Sequence, residues 1–181
     1  MRIIGGSLKG KNITPPSNYR ARPTTDFAKE GLFNILTNEI DFENCSFLDF
    51  FSGTGSISFE FSSRGCRDIV SVEMNPANYK FIKQTCSTLK IKGMQVVRQN
   101  VFDFIKICSK SFDVIFADPP YAIEGLEQIP DKVLNENPNI LKENGIFILE
   151  HPGDYSFLSH PNFIKEKKYG NVHFSFFKAH L

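Results

Sequence analysis

The tetrapeptide Asp118-Pro119-Pro120-Tyr121 closes the apolar run Phe112-Asp113-Val114-Ile115-Phe116-Ala117. A short apolar run of this kind reads as a buried strand, and parallel sheets end their strands at a ligand crevice. One spot thus receives a carboxylate, two rigid carbonyl-bearing prolines and an aromatic ring. An exocyclic amino nitrogen is a poor nucleophile because its lone pair is delocalised into the base ring. Acceptors on its two hydrogens favour the pyramidal form, in which the lone pair is available. Asp118 supplies one acceptor and the Pro119 carbonyl another, and the prolines hold both in place beforehand. Tyr121 offers a stacking surface. The chemistry implied is methyl transfer to a base nitrogen, where in-line attack gains chiefly from positioning. Taken alone, Asp-Pro and Pro-Pro are also ordinary turn signals, so the upstream residues decide.

Upstream, Leu48-Asp49-Phe50-Phe51-Ser52-Gly53-Thr54-Gly55 stands where a first strand turns into a first helix. Glycines there allow close approach of backbone to a ligand. The pattern is Gly53-x-Gly55-x-x-Ser58, with Ser where a dinucleotide fingerprint has its third Gly. Glu73 ends the second strand twenty residues after Gly53, the placement of an acid that accepts hydrogen bonds from ribose hydroxyls. Asp49 beside the glycine turn suits a ligand with an ammonium group. S-adenosylmethionine has one, whereas a nicotinamide dinucleotide does not need that acid. Phe51 and Met74, next to these groups in the chain, join the expected cofactor set. Asn100 and Val101, after the third strand, are expected to edge and face the adenine, with Phe102 and Asp103 beside them. No His, Cys or Asp group has metal-ligand spacing, so no metal is expected. His151, after the fifth strand, reads as a satisfied loop histidine.

The elements that must position these residues alternate from Cys45 onward. Strands are expected at Ser46–Phe50, Asp68–Glu73, Met94–Arg98, Phe112–Asp118 and Gly145–Glu150. Helices are expected at Gly55–Arg64, Pro76–Leu89, Val101–Cys108 and near Glu124–Asn137. That alternation is an α/β pattern, a parallel sheet with helices on both faces. Asn162–Lys168 and Val172–Lys178 flank Tyr169-Gly170-Asn171 and read as an antiparallel hairpin at the sheet edge. Ile3 to Ile13 reads as a small hairpin, and a helix follows, capped by Thr25 or Asp26. The division expected is a basic arm over residues 1–40 and an α/β body over 41–181.

The 181 residues suffice for one domain with a full core. The net charge of +1 hides an asymmetry. Residues 1–29 carry six basic side chains (Arg2, Lys9, Lys11, Arg20, Arg22 and Lys29) against Asp26, a balance of +5, which leaves −4 for the remainder. A basic arm on a near-neutral body suggests a polyanionic partner. No apolar stretch approaches the ~20 residues that span a bilayer. The N-terminal residues lack a signal peptide's apolar region, and a cytoplasmic location is expected. Cys45, Cys66, Cys86 and Cys108 form no Cys-x-x-Cys pair and are expected to be reduced.

The chain resembles the bacterial 16S rRNA (guanine-N2)-methyltransferases of the RsmD type. The residues carrying the resemblance are Met1-Arg2-Ile3-Ile4-Gly5-Gly6 with Lys9-Gly10, Arg22-Pro23-Thr24-Thr25-Asp26 with Glu30 and Leu32-Phe33-Asn34, Leu48-Asp49, Phe51-Ser52-Gly53-Thr54-Gly55, Glu73, Asp118-Pro119-Pro120-Tyr121 and Tyr169-Gly170. The Asp-Pro-Pro-Tyr motif is shared by many amino-group methyltransferases, whereas the opening residues and Arg-Pro-Thr-Thr-Asp are narrower. The resemblance implies a class I S-adenosylmethionine-dependent (Rossmann-like) fold with a seven-stranded, mostly parallel sheet whose last strand is antiparallel. It implies S-adenosylmethionine as methyl donor and the N2 amino group of one guanine in 16S rRNA of the small ribosomal subunit as target. It matches Asp49, Gly53 and Glu73 to cofactor positions and Asp118 to Tyr121 to the catalytic motif. It gives Arg2, Lys9, Lys11, Arg20, Arg22 and Thr24 an RNA-binding role. Extrusion of the guanine is less costly from an rRNA loop. A monomer is expected. Two alternatives stay open: another amino-group methyltransferase (adenine N6 in DNA or RNA, or protein glutamine), and a non-catalytic rRNA-binding assembly factor.

Overall fold

The computed structural model describes residues 1–15 and 24–179. Its elements in chain order are α1 (Asp26–Glu39), β1 (Ser46–Phe50), α2 (Ser56–Ser63), β2 (Asp68–Val72), α3 (Pro76–Thr88), β3 (Met94–Val97), α4 (Val101–Ile107), β4 (Phe112–Ala117), α5 (Ile129–Asn135), β5 (Leu141–His151), β6 (Phe163–Tyr169) and β7 (Val172–Lys178). The seven strands form one sheet in the order β3-β2-β1-β4-β5-β7-β6. Pairings from β3 through β5 are parallel, and β7 runs antiparallel to both β5 and β6. The C-terminal hairpin therefore joins the sheet through its second strand. The order reverses between β1 and β4, and at such a switch point a crevice opens beyond the carboxyl ends of the strands.

Strand residues alternate between two packed faces. Leu48, Phe50, Ile115, Ala117 and Leu149 meet Ile105 of α4 and Val133 of α5 on one side. Phe47, Phe116 and Ile148 meet Leu32, Phe33 and Leu36 of α1 and Phe61 of α2 on the other. Phe47 and Phe61 stack face to face, with ring centroids 3.6 Å apart. α1 starts at Thr25, whose hydroxyl accepts the Ala28 N–H at 3.2 Å, an N-cap worth about 1 kcal/mol.

The N-terminal segment is tied down rather than free. Its expected hairpin reduces to a single bridge, Arg2 to Asn12, around a short 3-10 turn at Gly6–Leu8. Ile3 and Ile13 bury themselves against Phe59 of α2 and Ile82 of α3. Lys29 of α1 is 1% exposed, and its ammonium donates to the Arg2 carbonyl at 2.5 Å and to the Ser56 hydroxyl at 3.2 Å. Burial lowers its pKa.

Two expected elements shift by more than a residue. β5 begins at Leu141, not Gly145, because Leu141 is buried and pairs with Phe112. The register then slips before Val114 meets Ile146, and the slip leaves Lys142, Glu143 and Asn144 exposed. The helix expected near Glu124–Asn137 contracts to a 3-10 turn at Leu126–Gln128 and α5, with Pro130 in the first turn of α5, where a missing N–H costs least.

Candidate active site

A cleft of about 1170 Å³ opens at the carboxyl ends of β1, β2, β4 and β5. Asp49, on β1, pairs in register with Phe116 of β4 and shares its face of the sheet. The Asp49 carboxyl is 2% exposed and accepts the Ser58 hydroxyl at 2.5 Å, and Ser58 Oγ lies 2.6 Å from Ser71 Oγ. So the residue that departs from the glycine fingerprint is the partner of the buried acid. Burial raises the Asp49 pKa to about 7, against the lowering effect of the Ser58 hydrogen bond.

After β1 the chain turns through three residues of positive φ, Phe51 (56°), Gly53 (54°) and Gly55 (77°). Phe51 is the unusual one, since a bulky residue seldom adopts this conformation. The turn sets its ring in the cleft, edge-on to Phe102 at 6.1 Å. Gly53 lines the cleft, but Gly55 does not. Gly55 is the N-cap of α2, and a Cβ there would meet Phe59 at 3.0 Å and Ile82 at 3.2 Å.

Glu73 follows β2. One carboxylate oxygen accepts the Gly53 N–H and the other the Asn75 N–H, each at 2.7 Å. It therefore braces the glycine turn, while Asn75 caps α3. Burial raises the Glu73 pKa, and these backbone hydrogen bonds oppose the rise. An ionised carboxylate has about four acceptor sites, so capacity remains for a ligand. Met74 lies on the cleft wall and is 62% exposed. Asn100 and Val101 line the cleft too, with Asn100 capping α4 through the Phe102 and Asp103 N–H groups. Asp103 is exposed and is not part of the lining.

Asp118 extends the β1–β4 ladder, its N–H donating to the Phe50 carbonyl at 3.4 Å. Its carboxyl is held well above the usual range, first by burial and then by the charges of Glu150 and Asp49. Pro119, Pro120 and Tyr121 line the cleft beside it, and the Pro120 carbonyl accepts the Ile123 N–H at 2.8 Å, which closes the turn. Tyr121 is 46% exposed.

Glu150 is the acid that sequence reasoning missed. It is 3% exposed, lines the cleft and accepts the Thr24 hydroxyl at 2.8 Å. It also accepts a hydrogen bond from Tyr121, and burial raises its pKa to about 7 despite both bonds. Its signal is legible afterwards: like Asp118, it is a charged residue that closes an apolar strand. Phe27 of α1 and the Tyr169–Val172 turn also reach the cleft across long sequence distances. Phe27 and Tyr169 meet edge to face at 5.6 Å.

Of the expected RNA contacts, Thr24 lines the cleft. Lys9 and Lys11 are exposed outside the lining, and Arg2 is exposed and paired with Asp26 at 3.4 Å. Arg20 and Arg22 lie outside the described residues. His151 is fully buried away from the cleft. Its Nδ1 lies 2.9 Å from the Pro152 carbonyl, which can only accept, so Nε2 accepts the Ser175 hydroxyl at 2.8 Å. Sequence spacing gave no metal-ligand group, yet the β5–β7–β6 pairing brings ligand-capable atoms of His151, Glu166 and His173 within 4.8 Å of one another. They are engaged already: His173 Nδ1 lies 2.9 Å from Glu166 Oε1, and Lys168 pairs with Glu166 Oε2 at 3.2 Å.

The donor set fits S-adenosylmethionine. Asp49 is a buried carboxyl that meets hydroxyls but, among the described residues, no cation, which suits an ammonium; Glu73 has spare acceptor capacity for ribose hydroxyls, and Val101, Phe102 and Met74 give an apolar surface for adenine. The family described as Conserved hypothetical protein 95 matches residues 1–178. The chain is 33% identical over 182 residues to "Ribosomal RNA small subunit methyltransferase D" of Buchnera aphidicola subsp. Baizongia pistaciae, covering 98% of this chain and 91% of the relative. It is 34% identical over 184 residues to the protein of the same name from Haemophilus influenzae, covering 98% and 93%. Among solved structures, a putative methyltransferase of Escherichia coli superposes with a TM-score of 0.83 at 26% identity, covering 99% and 98%. The Thermus thermophilus 16S rRNA N2 methyltransferase RsmC, solved with AdoMet and guanosine, shares the fold at a TM-score of 0.71 and 20% identity, covering 98% of this chain and 49% of that one. Matched along nearly its whole length, the chain belongs to the Conserved hypothetical protein 95 family, together with the ribosomal RNA small subunit methyltransferase D proteins.

Proposed function

We propose that this methyltransferase moves a methyl group from S-adenosylmethionine to the N2 amino group of a guanine in 16S rRNA. The observation that carries the reading is the meeting of Asp118-Pro119-Pro120-Tyr121 with Asp49, Gly53 and Glu73 in one cleft at the β1/β4 switch point. When bound, the cofactor supplies a methyl group on a sulfonium centre, open to in-line attack. The chain's own residues do the rest. Asp49 holds the ammonium end, Glu73 takes the ribose hydroxyls, Met74, Asn100 and Val101 enclose the adenine, and Phe51 packs beside them. Asp118 and the Pro119 carbonyl accept the amino hydrogens of the guanine and expose its nitrogen lone pair. Pro120 fixes that backbone, and Tyr121 stacks on the base. Asp118, in contact with that amino group, is in place to receive the proton released after transfer once it is ionised.

Residues 1–40 form the RNA-facing arm in this reading, with Arg2, Lys9, Lys11, Arg20, Arg22 and Thr24 meeting rRNA, and residues 41–181 form the methyltransferase body. The protein works as a monomer in the cytoplasm. No helix among the described residues is long and apolar enough to cross a membrane. The test is methyl transfer from a labelled donor to 16S rRNA of cells lacking the enzyme, followed by mapping of the label. The expected product is one N2-methylguanine. Asp118→Ala should lower turnover by about 10²–10³-fold with S-adenosylhomocysteine affinity nearly unchanged. Label on adenine or on protein would overturn the reading, and retained turnover in Asp118→Ala would remove that residue from the mechanism.

A further inference from the structure

The cleft holds a buried carboxylate beyond those needed for the cofactor and the amino group. Strand register explains its place. Ala117 of β4 pairs with Leu149 of β5, so Asp118 and Glu150 are the next residues on neighbouring parallel strands. Phe116 and Ile148 share one face, and Asp118 and Glu150, two residues on, point the same way. Two acids thus stand side by side, one strand spacing apart, at the end of the cleft where the base must sit. Among the described residues, hydroxyls face Glu150: Thr24 Oγ1 at 2.8 Å and the Tyr121 phenol. Two donors leave acceptor capacity on a carboxylate. Burying such a group with only hydroxyl partners costs stability, which calls for a donor arriving with the substrate.

Guanine brings that donor. Its Watson–Crick edge presents N1–H next to the N2 amino group, two donors in a row that need two acceptors in a row. Adenine presents an amino group next to a bare N1 lone pair, which a carboxylate repels. We propose that Glu150 is the specificity-determining residue, accepting guanine N1–H while Asp118 and the Pro119 carbonyl accept the amino hydrogens. This rests on reading the cleft as a guanine site. Thr24 and Tyr121 aim the carboxylate, and Tyr121 thereby couples base stacking to edge reading. A site built to bond a donor rejects an analogue lacking it, because its buried acceptor is then left unpaired.

The test uses the full chain and two rRNA fragments that differ at the mapped target, one with guanine and one with 2-aminopurine. The analogue keeps the amino group but has a lone pair at N1. The wild-type protein should favour guanine by at least about tenfold in kcat/KM, and the fluorescence of 2-aminopurine should report weaker capture of the extruded analogue. In Glu150→Gln the amide can turn its NH2 toward N1, and the guanine preference should fall by about tenfold or more. In Glu150→Asp, which withdraws the carboxylate by one methylene, it should fall by a smaller factor. S-adenosylhomocysteine binding serves as the folding check. If Glu150 merely ties Thr24 to Tyr121, both substrates weaken together, and an unchanged ratio overturns the assignment while methylation of guanine N2 stands. A wild-type protein indifferent to the analogue overturns it without any variant. A wild-type protein that leaves guanine N2 unmethylated overturns the functional reading, and the assignment with it.

Discussion

Asp49, Asp118 and Glu150 stand on adjacent strands inside one cleft, and burial raises the pKa of each. Asp49 and Glu150 are raised to about 7, from ordinary values of 3.8 and 4.5. Their folded-state pKa lies above the unfolded one, so between these values the folded protein binds more protons than the unfolded chain. The stability these groups confer is present below the unfolded pKa and is lost as pH rises through about 7. A cationic ligand reverses the balance by favouring the ionised acid. S-adenosylhomocysteine affinity is therefore expected to rise with pH, approaching tenfold per unit at most, and to level off above about 7. Calorimetry across that range in wild type and Asp49→Asn checks it; the variant should bind weakly with a flat profile. A wild-type profile as flat as the variant's would mean that Asp49 does not meet the ammonium.

At the scale of elements, α1 and the β6–β7 turn hold each other across the mouth of the cleft. Gly31 of α1 faces the Tyr169 ring, and a Cβ there would fall 2.1 Å from Cε1. Gly→Ala inside an exposed helix ordinarily gains about 1 kcal/mol. Here Gly31→Ala should cost about 1–3 kcal/mol, because the ring must move and take the turn with it. Denaturant unfolding gives the sign, and a stabilised variant would show that the turn yields freely. The sequence foretold β1 to β4 to within a residue at each end, since each is a short apolar run bounded by Gly, Pro or polar residues. It placed Asp118 and Glu73 at strand ends for the same local reason. The place of Glu150 at a strand end was equally local, but its standing beside Asp118, like the reach of Phe27 and Tyr169 into the cleft, comes from pairing between distant strands and from the packing of α1, which no local pattern encodes. The start of β5 was obscured because Lys142-Glu143-Asn144 looks like a loop and is an exposed irregularity within the strand.

For the whole molecule, charge is unevenly spread, +5 over residues 1–29 against −4 elsewhere. If the five arginines and lysines of the arm outside α1 each neutralise a phosphate, log–log plots of RNA affinity against salt should slope by about −3 to −4, at roughly −0.7 per contact. S-adenosylhomocysteine affinity should barely move over the same range. Filter binding of rRNA and calorimetry of the cofactor product, run at matched ionic strengths, compare the two, and parallel slopes would detach the arm from RNA recognition.

The buried ammonium of Lys29 has a mechanical consequence. It grips the Arg2 carbonyl with one proton and the Ser56 hydroxyl with another, and Ser56 opens the helix that follows the glycine turn and itself lines the cleft. The leading segment and the wall of the pocket therefore share one anchor, so a substitution that removes this ammonium would loosen both at once.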